Sequence, residues 1–218
     1  DILGLKLVRI SEGALREGLL HDLVGRIRHE DIRNQSILAL VQRFRVDIVQ
    51  AQRVATTAQD LLAAVASLWA LETEESQFLR WAAQLHEIGL NIAFNRYHKH
   101  GAYIVGHADL GGFSLQEQQF LALLIRAHRR SFPVQEWTAL PERWQNLGLR
   151  LAALLRLAVI LNRSRSASQV PELKVFPTRK GLKLEFPASW LPQHPLTQAD
   201  LVAEASYLQT LNFSLKFA

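Results

Sequence analysis

The spacing of apolar residues changes once along this chain, and that change most constrains the fold. From Asp31 to about Ser166, apolar residues recur every three or four positions, which is the period of helices packed against a core. After a polar hinge, RSRSASQVP, the segments ELKVFP and LKLEF alternate apolar and polar residues around the turn TRKG. This alternation predicts a β-hairpin. The fold class predicted is therefore mainly α, a helical bundle followed by a small α/β subdomain.

Capping and stop signals divide the helical part into six helices. Asp47 is a typical N-cap, Ser114 with Glu117 three residues later forms a capping box, and Gly89 predicts a helix stop. The predicted helices are Gln35 to Phe44, Ile48 to Leu71, Glu75 to Ile88, Tyr97 to Val105, Ser114 to Arg129 and Glu142 to Leu161. A further helix from Thr197 to Gln209 and a strand in NFSLKF complete a β-β-α-β order in the subdomain.

The first residues predict a piece of another domain. Ile2 to Ile10 reads as an apolar strand that leads into a helix capped by Ser11 and ended by Gly25. A strand without a neighbouring strand needs a sheet elsewhere, and the chain contains no methionine, so we expect a fragment or a processed piece. The predicted division is residues 1–30 as the tail of a missing domain, 31–168 as the helical domain and 169–218 as the subdomain.

The charge balance indicates an anionic partner. Lys and Arg number 25 against 20 Asp and Glu, which gives a net charge of +5 and a pI near 9.9, and such a field attracts polyanions. The absence of cysteine excludes disulfides and thiolate metal sites. No run of eighteen apolar residues and no signal peptide are found, so no membrane span and a cytoplasmic location are predicted.

Histidines form the main candidate for chemistry. His86 and Glu87 adjoin at a predicted helix end, His98 and His100 open the next helix, and His128 ends a later one. Imidazole and carboxylate groups together can hold a divalent metal and activate water. The alternative is a buried core histidine at 86 beside a surface acid at 87, and spacing alone does not decide between the two.

Four segments resemble one family. They are VRISEGALREGLLHDLVGR, the long stretch from LRWAAQLHEIGL through YHKHGAYI to LLIRAHRR, LLRLAVILNRSR and WLPQHPLTQADLVAEASYLQ. In this order they resemble the HD-type domain and C-terminal appendage of the exopolyphosphatase and guanosine pentaphosphate phosphohydrolase family. The similarity covers essentially the whole chain and implies that the helical bundle is of the HD type.

The resemblance implies a division of labour. In that family two actin-like domains come first and carry the phosphate-binding loops and the catalytic carboxylate, so no catalytic residue is expected in this chain. The HD-type and C-terminal domains close over a basic channel and support a dimer. The implied substrates are inorganic polyphosphate and guanosine pentaphosphate. The implied cofactor is Mg²⁺, bound mainly outside these residues.

The resemblance also implies that the HD-type site has lost its charge. Its first ligand position falls on Gln50, its doublet on His86 and Glu87, and its late acidic position on Asn162. Glutamine and asparagine are neutral, so the site lacks the negative charge that hard or borderline cations prefer. We predict a degenerate site that holds no metal, with His86 and Glu87 as the remaining candidates.

Basic residues predict where a phosphate chain binds. Arg129 and Arg130 follow one helix, and the segment from Asn162 to Arg165 follows another, so both could lie at one channel mouth; arginine grips phosphate with paired hydrogen bonds. The substrate-binding candidates are Arg16, His98, Lys99, His100, His128, Arg129, Arg130, Arg163 and Arg165. For any single arginine, a solvated face or an interhelical ion pair is the alternative, and for Arg16 an ordinary helix start after Ser11 is equally consistent.

Aromatic residues argue against a nucleic-acid partner. Tyr97, Tyr103 and the five tryptophans fall mostly within the apolar periodicity and are predicted to be core, which weakens the case for stacked bases of a single-stranded nucleic acid but leaves that alternative open. Three functions remain: part of an exopolyphosphatase that binds the substrate chain and dimerises, a non-catalytic module that binds polyphosphate or nucleic acid, or an independent metal-dependent phosphohydrolase centred on His86, Glu87, His98, His100 and His128.

Overall fold

The computed structural model describes residues 32–165 and 170–218, which form a helical bundle and a small three-stranded sheet. Helix α1 includes residues 32–43. The further helices are α2 Ile48–Trp69, α3 Thr73–Leu85, α4 Tyr97–His107, α5 Leu115–Ala127, α6 Val134–Thr138, α7 Glu142–Leu161, α8 Trp190–Gln193 and α9 Pro195–Gln209. The strands are β1 Lys174–Thr178, β2 Gly181–Glu185 and β3 Ser214–Phe217. The mainly α fold with a small α/β subdomain is confirmed.

Side-chain caps start the helices where the sequence predicts. The Asp47 carboxylate accepts a hydrogen bond from the Gln50 amide at 3.0 Å, which satisfies one free N–H of the first turn of α2. The Ser114 and Glu117 capping box is present, and α5 begins at Leu115. Helix α2 ends at Trp69, two residues before the predicted end, and the next residue, Ala70, has a left-handed backbone.

The stop predicted at Gly89 is wrong in detail. Helix α3 ends at Leu85, and Ile88–Asn91 forms a 3-10 turn that contains Gly89. This glycine lies against the backbone of α4, where an added Cβ would meet the Gly101 nitrogen at 2.5 Å. The chain therefore leaves the helix early because the turn must approach α4 closely. Sequence analysis also missed the short helices α6 and α8.

The sheet has the order β1-β2-β3. Strands β1 and β2 form the predicted antiparallel hairpin, in which Lys174 pairs with Glu185. Strand β3 pairs with β2 in parallel, with Leu182 opposite Leu215, because α9 carries the chain back to the same end of the sheet. Indole Nε1 of Trp69 donates to the Thr178 carbonyl at 2.7 Å and joins this sheet to the bundle.

Helix α7 is the central helix of the shared core. It packs against α2, α3, α5 and α9, and the run Leu151 to Leu155 is entirely buried. By length and mean hydropathy it is the one helix of the described ranges that could cross a membrane, yet 61% of that window is buried inside the protein. The division of the chain at residues 30 and 168 stays a prediction, and the strand and helix predicted before residue 31 lie outside the described residues.

Candidate functional site

Three histidine rings meet where the ends of α3 and α5 approach the start of α4. The ring centroids of His86 and His128 lie 5.5 Å apart, and His98 lies 6.3 Å from His128. Nδ1 of His86 lies 2.7 Å from the Ala83 carbonyl, and Nδ1 of His128 lies 2.6 Å from the Ile125 carbonyl. Because a carbonyl oxygen only accepts, we assign the proton to Nδ1 in both rings. Nε2 of each ring is then an acceptor.

Burial keeps these imidazoles neutral. Desolvation lowers the pKa of His86, and it lowers the pKa of His128 well below its ordinary value. His98 is 3% exposed, and its pKa falls to about 4 because burial acts together with the charges of Arg126, Arg129, Lys99 and Arg130. The cluster is therefore uncharged near neutral pH.

These histidines should make stability fall in acid. The folded state leaves them neutral below their ordinary pKa of 6.5, whereas the unfolded chain binds protons there, so stability is full above that pH and is lost as the pH falls. Each histidine should remove about 1.4 kcal/mol per pH unit below about 6. Urea denaturation between pH 7.5 and 5 measures the slope. His98→Asn should make the slope shallower, and an unchanged slope would contradict the assignment.

The residues at the predicted ligand positions are engaged with one another and with Arg165, an arrangement that does not fit a metal ion. Nη2 of Arg165 binds both carboxylate oxygens of Glu87, at 2.6 and 2.7 Å, and Nη1 binds Asp47 at 2.8 Å. A guanidinium thus holds the carboxylate that a cation would need. The side-chain amide of Gln50 donates to the backbone carbonyl of Asn162 at 2.9 Å, and the side-chain amide of Asn162 donates to the Thr57 hydroxyl at 2.9 Å. Within residues 32–165 and 170–218, no group of three or more potential ligands is placed to hold a metal.

A cationic surface lies next to the histidines. We call Arg96, Lys99, Arg126, Arg129 and Arg130 the basic cluster. Of these, only Arg126 has an acidic partner among the described residues, Glu136 at 3.5 Å. The Arg129 guanidinium lies over the Tyr97 ring at 5.1 Å and over the Phe94 ring at 6.0 Å, and Arg130 has a left-handed backbone with φ of 64°. The aromatic rings hold Arg129 in place without neutralising its charge.

A buried ion pair fixes the backbone of the basic cluster. The Arg156 guanidinium on α7 donates to both oxygens of Glu204 on α9, at 2.5 and 2.8 Å, and both side chains are buried. The same guanidinium donates to the carbonyls of Ala127 at 2.7 Å and Arg130 at 3.0 Å. The end of α5 is therefore tied to the C-terminal helix α9.

The other predicted binding residues lie in different settings. Arg163 forms an ion pair with Asp200, and Arg165 is engaged with Asp47 and Glu87, so both match the interhelical-pair alternative. His98 and His128 are buried, and His100 is half-buried on α4. Arg16 lies outside the described residues. The role of all these residues in substrate binding stays a prediction.

Comparison with known proteins decides the family. A family model described as Ppx/GppA phosphatase, domain III, matches residues 32–205.

The chain belongs to the Ppx/GppA phosphatase family.

Its relatives carry the name guanosine-5'-triphosphate,3'-diphosphate pyrophosphatase. The protein of Vibrio cholerae serotype O1 is 36% identical over 210 residues, and that of Photobacterium profundum is 35% identical over 210 residues. The protein of Vibrio vulnificus is also 36% identical over 210 residues. In each case the match covers 94% of this chain and 41% of the relative, so the chain spans about two fifths of the length of these relatives. The resemblance to this family stated from the sequence is confirmed.

The prediction that Tyr103 lies in the core of this Ppx/GppA family member is wrong. Tyr97 is buried as predicted, but Tyr103 is 65% exposed and lies opposite the buried face of α4. A helix turns roughly 100° per residue, so position 103 lies about 160° from Val105. A helical wheel would therefore have placed Tyr103 on the outer face, whereas the apolar period alone did not.

Proposed function

We propose that the protein containing this chain hydrolyses terminal phosphoanhydride bonds of linear polyphosphate, and also removes the 5′ phosphate of guanosine pentaphosphate. The residues described here bind and orient the phosphate chain for a catalytic carboxylate in the part of the relatives that this chain does not match. The family and the names of its relatives support phosphoanhydride hydrolysis. The observation that carries the binding role is the basic cluster.

Cations that have no acidic partner support this role. Lys99 and Arg130 are exposed, and within residues 32–165 and 170–218 no carboxylate lies within 4 Å of either side chain or of Arg129. An ion pair already formed must be broken before an arginine can bind phosphate. Lys99, Arg129 and Arg130 need only release bound water. Four of the five cations also act together on His98, so their fields overlap at one place.

The neutral histidine at the centre adds a hydrogen-bonding group. Nδ1 of His98 is buried and has no hydrogen-bond partner among the described residues. A buried polar atom without a partner costs roughly 1 to 3 kcal/mol, so a phosphate oxygen or a bridging water would stabilise it. A protonated Nδ1 would donate to a phosphate oxygen, and the surrounding cations would neutralise the bound charge.

The remaining parts of the proposal come from the family resemblance. The complete protein would use Mg²⁺ held outside the described residues, work as a homodimer and reside in the cytoplasm. The arrangement around Arg165 and Glu87 favours no step through a metal here. Phosphate release from long polyphosphate by the full gene product tests the enzyme assignment. If the full gene product releases none, the non-catalytic polyanion-binding module replaces the proposal.

The double substitution Arg129→Ala and Arg130→Ala tests the binding role. Charge-assisted hydrogen bonds are worth about 1.5 to 3 kcal/mol each, so we expect long-chain polyphosphate to bind roughly tenfold or more weakly. Turnover of short chains should change less, because they reach the catalytic centre without contacting the cluster. Filter binding and phosphate release on chains of defined length measure the two effects in the full gene product.

Arg143→Ala is the matched control. Arg143 is exposed and pairs with Glu74 away from the basic cluster, so its loss removes a positive charge without touching the proposed path. Its polyphosphate affinity should stay within about twofold of the unsubstituted protein at 0.15 M salt, where distant charges are screened. Equal losses for long and short chains in the double variant would contradict the binding role.

A further inference from the structure

A groove beside the basic cluster has the dimensions of a small-ligand site. It lies between α4, α5 and the segment that joins α6 to α7, and its volume is about 540 Å³. Small-molecule sites are typically about 300 to 1,000 Å³. Small and apolar residues, including Gly106, Ala122 and Leu123, form part of its wall. The groove can therefore take a flat, partly apolar group.

An exposed aromatic pair lines this groove. The ring of Tyr103 stacks on the ring of His107 with centroids 4.3 Å apart and an angle of 28°. Nδ1 of His107 lies 2.9 Å from the Tyr103 carbonyl, which fixes the His107 ring against its neighbour. The pair is thus ordered before any ligand arrives. Flat, ordered aromatic side chains are the groups on which nucleic-acid bases stack.

Two cations of the basic cluster also line the groove. Lys99 and Arg126 both contribute to its wall, and the charges of both lower the pKa of His98. Glu136, the only carboxylate among the lining residues, pairs with Arg126 at 3.5 Å. Lys99 has no acidic partner in the described parts of the chain. The groove therefore has an aromatic part at Tyr103 and an anion-binding part at Lys99.

We propose that this groove binds a nucleoside polyphosphate, with the base stacked on Tyr103 and the phosphates directed to Lys99 and the rest of the basic cluster. The placement of the phosphates rests on the proposed function, whereas the placement of the base rests on the aromatic pair. A linear polyphosphate has no ring to stack, so it uses the basic cluster alone. The aromatic platform is the feature that separates the two kinds of ligand.

Calorimetric titration of the 218-residue chain with GTP and with inorganic tripolyphosphate, both without Mg²⁺, tests the inference. The two ligands carry similar charge, so a purely electrostatic site would not favour GTP. Stacking of one base is worth about 1 to 3 kcal/mol, so GTP should bind roughly tenfold more tightly than tripolyphosphate. Tyr103→Ala should remove this preference and leave tripolyphosphate binding unchanged, whereas Tyr103→Phe should keep it.

Leu115→Ala provides the control for loss of an exposed apolar side chain on the neighbouring helix α5, and it should alter neither affinity. Tripolyphosphate binding with no preference for GTP overturns the inference and leaves the proposed function intact. A preference for GTP that survives in Tyr103→Ala also overturns the inference. Failure of both ligands to bind overturns the inference and the binding role together.

Discussion

Glu204→Ala should lower the free energy of unfolding by about 3 to 5 kcal/mol, because it leaves the Arg156 guanidinium buried without its carboxylate. Arg156 is 5% exposed and Glu204 is 7% exposed, so water cannot easily replace the lost partner. Urea denaturation followed by tryptophan fluorescence measures the loss. The same variant should weaken polyphosphate binding, because Arg156 also holds the Ala127 and Arg130 carbonyls at the basic cluster.

Asp200→Ala is the matched control on the same helix. Its partner Arg163 is exposed, and exposed ion pairs contribute about 0 to 1 kcal/mol.

A second variant separates charge from packing. Replacing Arg156 with Met and Glu204 with Leu together removes both buried charges and should recover most of the stability lost in Glu204→Ala. A loss from Glu204→Ala no larger than that from Asp200→Ala would contradict the buried pair.

Gly89→Ala is expected to destabilise the protein by about 3 kcal/mol, because the new Cβ would overlap the Tyr97 carbonyl and the Gly101 nitrogen of α4. Neighbouring atoms that belong to the backbone cannot move as a flexible side chain can. The turn would be pushed away from α4, and the packing of Ile88–Asn91 against the start of α4 would loosen. Chemical denaturation measures the stability, and exposure of His86 is measured from its proton NMR titration.

Gly106→Ala is the control within α4 itself. Its added Cβ would lie 3.6 Å from the Cβ of Ala122, an ordinary contact, and alanine is favoured over glycine inside a helix by about 1 kcal/mol. We expect this variant to be at least as stable as the parent chain. Similar losses at positions 89 and 106 would show that α4 resists any added methyl group, and the close approach at Gly89 would not be special.

Local signals in the sequence predicted the helices and strands well, because their causes are local. The caps at Asp47 and Ser114 and the alternation around β1 and β2 depend on neighbouring residues alone, and α7 was predicted with its observed bounds. The early end of α3 was missed because it depends on contact with α4, which is distant in the sequence.

The candidate site was less predictable, because pairing depends on residues that are far apart in the chain. Arg165 and Glu87 are separated by 78 positions, and Arg156 and Glu204 by 48, so the sequence could not show which arginines are neutralised. Like Arg163, Arg129 and Arg130 closely follow the end of a helix. Only the fold shows that Arg163 has an acidic partner and that the other two have none among residues 32–165 and 170–218.

The contact of Arg156 with both α9 and the end of α5 bears on how this family can be recombined. A chimaera that joins this helical bundle to the C-terminal subdomain of a relative would inherit Arg156 from one parent and the residue at position 204 from the other. Without a carboxylate at that position, the graft would place a buried charge opposite an apolar or neutral surface. The subdomain can therefore be exchanged without this cost only if the relative has a carboxylate at position 204, or if the residue at position 156 on α7 is exchanged with it.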